Sequence, residues 1–268
     1  FIVMRNKRVL LFLIMCILCV CWGCSSNKDR EALPKLVIGC DTLRPYSYVD
    51  EDGNPAGMDV DLAKEACKRM GYEPEFVYID WDERDTLLAN GDIDCLWSCF
   101  SMDGQEDSYA WVGPYMYSRQ VIAVKADSPI THLSDLKDMR VAVRVGAKAE
   151  TILMKQENAE VPNVQNVFSL DNMSDVVTAL RNDYVDACAG YAAALRDQLQ
   201  NDSVNYRFLD DDLDYAKIGV AFLKNGDTTI RNKLRDTLDA MQADGTTERI
   251  LKSYGVDTDK VLRRCENE

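Results

Sequence analysis

Short β-branched runs alternate with segments of helical period twice along this chain, and no other feature limits its possible folds as tightly. Lys35–Cys40 (KLVIGC) reads as a strand that stops at the loop chemistry of Asp41-Thr42-Leu43-Arg44-Pro45. After a turn signal at Asp50-Glu51-Asp52-Gly53-Asn54, the residues Leu62, Ala63, Ala66, Cys67 and Met70 fall on one helical face. Asp59 is placed as that helix's N-cap and Gly71 as its end. A strand over 76–79, a helix over 81–89 and a strand over 93–97 follow, and strand–helix–strand alternation implies a parallel sheet. The pattern then begins again, with strands over 141–145, 167–169 and 185–189 separated by helices over 149–157 and 174–182. A helix over 192–200, extended runs over 206–209 and 216–223, a helix over 229–243 and a last helix through Tyr254 complete the chain.

Roughly 240 residues beyond the N-terminal segment exceed what one compact α/β unit needs, so two lobes are expected. Residues 35–123 plus 217–268 make the first and residues 124–216 the second, each a mostly parallel sheet flanked by helices. The runs 120–124 and 217–222 bracket the second unit. If both cross between lobes, the C-terminal helices pack back on the first lobe, and the cleft between lobes has two hinge connections.

The N-terminal stretch has a different character. Arg5, Lys7 and Arg8 precede an uncharged run from Val9 to Gly23, which is the layout of an export signal over 1–23. Its fifteen residues, at ~1.5 Å of rise each, fall short of the roughly 30 Å hydrocarbon core of a membrane. Cys21-Trp22-Gly23-Cys24-Ser25-Ser26-Asn27 resembles a bacterial lipobox, with Cys24 the residue to be acylated and 24–34 a polar tether; Cys21 stands where an aliphatic residue is usual. Loss of 1–23 removes three basic residues and no acidic one, taking the formal charge from -14 to -17. So acidic a chain lacks the basic footprint that nucleic acid requires and will not adsorb to anionic lipid, which leaves the Cys24 anchor as the membrane contact.

Of ten cysteines, Cys16, Cys19 and Cys21 leave with the signal and Cys24 is the anchor. Cys40, Cys67, Cys95, Cys99, Cys188 and Cys265 remain, scattered through apolar patterns without zinc-like pairing. They read as small buried thiols, with disulfide pairing left open. His132 is the single histidine, which argues against a histidine metal site or a Ser-His-Asp triad. No metal and no cofactor is expected.

The stretch DCLWSCFSMDGQEDSYAWVGPYMY, residues 94–117, is the candidate centre of the molecule. A buried strand running into Ser98, Cys99, Phe100 and Ser101 delivers hydroxyls and backbone N–H groups at its carboxyl end, where open α/β sheets hold ligands. Taken alone, the serines serve equally well as strand-to-loop residues that satisfy local backbone groups.

IGCDTLRPYSYVDEDGNPAGMDVDLAKEACKRMGYEPEF, GDIDCLWSCFSM, WVGPYMYSRQVIAV, RVAV, YVDA and QADGTTERILKSYG stand in that order, and together they resemble the extracellular solute-binding proteins of family 3. That resemblance covers about 35–254. It implies a two-lobed α/β architecture of the type II periplasmic-binding-protein kind, closing over one small polar solute for an ABC importer. Ser98, Cys99 and Ser101 match the family's positions for backbone and hydroxyl contacts, with Asp41 and Phe100 beside them. The family's carboxylate-binding arginine is replaced by Gln105 and Glu106. Its covering loop aromatic falls at Leu43 or Arg44, a role that passes to Tyr46 or Trp97. Its Gly-Thr-Thr at a helix N-terminus becomes Gly146, Ala147 and Lys148, with Arg144 at the preceding strand end. Its ammonium-binding acid is replaced near Gly190 and Tyr191.

With both ends of the amino-acid clamp altered, the expected ligand is a small anionic or zwitterionic solute whose cationic contacts have moved to Arg44, Arg144 or Lys148. The expected partners are that solute, the permease subunits of an ABC transporter, and the membrane through Cys24, on the outer face of the cell membrane or in the periplasm. The chain is expected to be a monomer and not an enzyme. A dehydratase on the same fold, with Glu106 as its carboxylate, and a sensory receptor are the alternatives.

Overall fold

The computed structural model describes residues 32–200 and 205–262, and the fold is carried by the unit Pro34–Glu268. Residues 1–23, expected to be an export signal, residues 24–31 of the expected tether with Cys24, and Cys265 lie outside the described residues. Eleven strands are seen in chain order: β1 Lys35–Cys40, β2 Tyr48–Val49, β3 Pro55–Ala56, β4 Glu73–Tyr78, β5 Cys95–Leu96, β6 Ala110–Lys125, β7 Arg140–Arg144, β8 Asn166–Leu170, β9 Ala187–Tyr191, β10 Tyr206–Phe208 and β11 Asp214–Phe222. The helices are α1 Met58–Met70, α2 Arg84–Asn90, α3 Lys148–Lys155, α4 Met173–Arg181, α5 Ala192–Leu199, α6 Thr228–Ala243, α7 Thr246–Ser253 and α8 Thr258–Val261. No helix among the described residues is long and apolar enough to cross a membrane.

The main sheet runs β4-β1-β5-β11-β6-β9-β7-β8, with β10 paired to β6. At each end lies a parallel trio in the same relative order, second strand, first strand, third strand: β4-β1-β5 and β8-β7-β9. Between the trios run two antiparallel strands, β11 and β6, paired to each other and to β5 and β9 respectively. The carboxyl ends of β1 and β5 in one half therefore face those of β7 and β9 in the other.

Hydrophobic period explains most of this. Helix α1 buries Leu62, Ala63, Ala66, Cys67 and Met70 in a core shared with β1 and with Leu234, Leu238, Met241 and Leu251 of α6 and α7. The C-terminal helices thus pack on the half built around β1. A second core, with Ile122, Val124, Val141, Val143, Ile152 and Leu153, fills the half built around β7.

Two local expectations need correction. Strand β6 begins at Ala110 rather than at the run 120–124, and it continues through Pro114 because that residue sits where β6 and β11 change register, between the pairs Val220↔Val112 and Ile218↔Met116. A bulge is the one interior strand position that accepts proline, which lacks the N–H a ladder needs. Asp59 is not the cap of α1. Gly57 holds that position with φ 122°, and the Met58 and Asp59 amides donate to the carbonyls of Pro45 and Tyr46 at 2.9 Å each.

Candidate functional site

At the carboxyl end of β1, Asp41 faces Arg144, the last residue of β7, and its Oδ2 accepts from the Arg144 Nη2 at 2.7 Å. The pair spans the two halves and stays partly accessible, with side chains 19% and 24% exposed. Ser98, just past β5, donates through Oγ to the Asp41 carbonyl at 2.9 Å. Tyr191, ending β9, is buried and meets Tyr46 edge-on at 5.8 Å between ring centres. Burial raises the Tyr191 hydroxyl well above its ordinary pKa, nearby Cys99 and Asp103 add to that, and Arg144 opposes it. One residue from each of four strand ends, with opposite charges on opposite sides, meets here.

Cys99 takes a left-handed conformation, φ 49°, and its thiol lies beside the Tyr46 and Tyr191 hydroxyls. Burial drives that thiol well above its usual range, with Asp59 adding to the effect, so it is not a thiolate nucleophile. The turn is fixed from behind: Asp59 accepts from the Cys99 N–H at 2.6 Å and from the Tyr115 hydroxyl at 2.8 Å. Burial pushes the Asp59 carboxyl up to about 7 despite the hydrogen bonds from Tyr115 and Cys99. Its place in the sequence held a signal, since Asp59 lies in period with Leu62, Ala63, Ala66 and Met70 on the buried face of α1.

The other residues singled out in the sequence are engaged mainly with their own neighbours. Trp97 is 1% exposed and packs against Tyr115, and Phe100 is enclosed by Trp81, Tyr109 and Trp111 at ring distances of 5.0–5.3 Å. Leu43 is buried in a turn closed by its own backbone bonds with Ser47. Tyr46 is 1% exposed and its hydroxyl meets the Ser118 hydroxyl at 2.6 Å. Ser101 donates to Asp103 at 3.1 Å, and the Gln105 carbonyl accepts from the Trp111 indole. Arg44 lies over the Tyr48 ring and reaches Asp197 of α5 at 3.4 Å, a second ion pair between the halves.

In the half built around β7, Gly146 donates to Glu150, and Ala147 enters α3 with extended backbone. Lys148 sits between Glu157 at 3.5 Å and Asp214 at 3.7 Å. Glu106 is solvent-facing, and its carboxyl is lowered by backbone N–H bonds from its own residue and Gly104, with Lys217 and Lys148 helping. Beside Tyr46 a cavity of about 30 Å³, lined also by Met58, Met116 and Ala192, has room for one water. Cys40, Cys67, Cys95, Cys99 and Cys188 are free and buried, and no cluster suited to a metal ion occurs among the described residues.

This architecture has known counterparts. The sequence profile of the bacterial extracellular solute-binding proteins, family 3, matches residues 36–257. The arginine-binding extracellular protein ArtP of Bacillus subtilis is 26% identical over 256 residues, 93% of this chain and 98% of that protein. The histidine-binding periplasmic protein of Salmonella typhimurium is 29% identical over 242 residues, 86% of this chain and 91% of that protein. The structure of an ancestral arginine-binding protein bound to arginine superposes with a TM-score of 0.70 at 28% identity, covering 82% of this chain and 97% of that one.

Proposed function

The chain belongs to the bacterial extracellular solute-binding proteins of family 3, and from that premise we propose that it is the solute receptor of an ABC importer, capturing a small amino-acid-like solute as its two halves close. The observation that carries this reading is the convergence of four strand ends, with Asp41 and Ser98 on one side and Arg144 and Tyr191 on the other. Ligands of open α/β sheets sit at such ends. Relatives named for arginine and histidine binding support the amino-acid class.

Binding without turnover is part of the proposal. A general acid or base works near the operating pH, which in a cleft means a carboxyl raised by burial. Glu106 is lowered and exposed, while Asp59, which is raised, is buried and already accepts from the Cys99 N–H and the Tyr115 hydroxyl. The receptor is held at the outer face of the membrane by acylated Cys24. Labelling cells with a radioactive fatty acid should mark the wild-type chain and not a Cys24→Ala variant; equal labelling of both removes the anchor.

Thermal unfolding of the full chain with each amino acid at millimolar concentration tests the receptor reading. A ligand at a hundred times its Kd stabilises by about 2.7 kcal/mol and so raises Tm by several degrees. If none of the amino acids shifts the transition, the reading falls.

A further inference from the structure

We infer that Asp41 and Arg144 are the two seats of a clamp of reversed polarity, in which the ligand's ammonium sits on Asp41 in the first half and its carboxylate on Arg144 in the second. The inference deepens the receptor reading and rests on it, because it names which ligands the cleft accepts and which way round they lie.

The two residues hold corresponding places in the two units. Asp41 follows β1, Arg144 ends β7, and β1 and β7 are the central strands of the two parallel trios. They carry opposite charges and neutralise each other at 2.7 Å. A ligand can enter between the halves only as that contact parts. What it must then supply follows from charge balance at a pair whose side chains are only 19% and 24% exposed. A molecule bearing both charges on one small head group exchanges one ion pair for two and strands neither side chain. A simple carboxylate would leave Asp41 desolvated without a partner, and a simple amine would leave Arg144 so, which is the costly outcome for a partly buried charge. The accepted class is therefore a zwitterion.

The opposite orientation, cation in the first half and acid in the second, matches the polarity of Arg44–Asp197, but those two already meet at 3.4 Å with Arg44 lying over the Tyr48 ring, and the positions that the family resemblance gives it hold neither of the required charges. Where the family resemblance places the first-half arginine stand Gln105, whose carbonyl serves Trp111, and Glu106, which is exposed and carries the wrong charge. Where it places the second-half acid stands Tyr191, buried against Tyr46. The remaining cation across the cleft, Lys148, already sits between Glu157 and Asp214.

The test is calorimetric titration of the full chain with each proteinogenic amino acid, followed, for the tightest binder, by its α-carboxamide and its deamino acid. Each analogue lacks one charge and is expected to bind at least about thirtyfold more weakly. Arg144→Gln should weaken the amino acid by a similar factor and tighten the α-carboxamide, since that analogue no longer has to part an ion pair and strand a charge. Asp41→Asn should weaken the amino acid and tighten the deamino acid, which then finds Arg144 unpaired. An analogue that binds the wild type within threefold of its parent overturns the inference, and needs no variant to fold. So does a crossed pattern, in which Arg144→Gln spares the deamino acid. Should no amino acid bind at all, the receptor reading falls with it; binding that ignores both charges overturns the reversed clamp alone.

Discussion

Asp59 is a carboxylate kept 1% exposed so that a neighbouring turn can hold its shape. It accepts from the Cys99 N–H, which fixes a non-glycine residue at φ 49°, and from the Tyr115 hydroxyl; Cys40 and Tyr46 feel its charge as well. Burial lifts its pKa from 3.8 to about 7, so the folded chain holds a proton that the unfolded chain releases. The sign follows: between about pH 4 and pH 7 the native state binds more protons, and stability falls as pH rises through that window. At roughly 1.4 kcal/mol per unit the penalty at pH 8 is on the order of 4 kcal/mol. An Asp59→Asn variant escapes it, so its stability relative to wild type should climb by a few kcal/mol between pH 4 and pH 8 in urea titrations. A pH-independent difference would place the ionisation elsewhere. Reading Asp59 as a helix cap failed for a physical reason: an acid at a helix start normally faces water, and only its phase with Leu62 and Ala66 marks it as inward-facing.

At the scale of elements, the start of α1 and the loop after β1 are one construction. Gly57 has φ 122°, and a Cβ there would meet the Tyr46 carbonyl oxygen at 2.3 Å and that of Pro45 at 2.9 Å. Those same carbonyls accept the first free amides of α1. Gly57→Ala therefore combines left-handed strain with a backbone clash and should cost at least about 3 kcal/mol. Denaturant titration measures that cost, and a change below about 1 kcal/mol would mean the loop can move. The alternation of periods made both parallel trios legible in the sequence, and Gly71 marked the end of α1. Strand β6 was only partly legible, because Pro114 looks like a break until the bulge opposite it is known. The facing of Trp97 and Phe100 was not legible either. A strand pattern separates two faces, yet here both are covered by core, and nothing in the sequence says which covering is a cleft.

Across the whole molecule, the two halves are tied outside the sheet by Arg144–Asp41, by Arg44–Asp197, and by Arg196 donating to the Gly255 carbonyl at 3.1 Å. None of these pairs could be found in the sequence, since each joins residues that only the folded topology brings together. The backbone between the halves consists of β6 and β11, paired over residues 110–120 and 214–222, so in the proposed receptor it is the contacts at the rim that would part as the halves open. Each partly exposed ion pair is worth about 0.5–1 kcal/mol, and the two together about 1–2 kcal/mol. Removing both, as Arg44→Gln with Arg144→Gln, should therefore shift the unliganded balance toward the open form by roughly five- to thirtyfold. Small-angle scattering reads that shift as a larger radius of gyration than wild type. Raising the salt concentration should move wild type in the same direction, because exposed pairs are screened, and should move the double variant much less. If wild type and double variant scatter identically at low salt, the closed shape is held by Tyr46 against Tyr191 and the surrounding apolar surface, and the charges at the rim only choose the ligand.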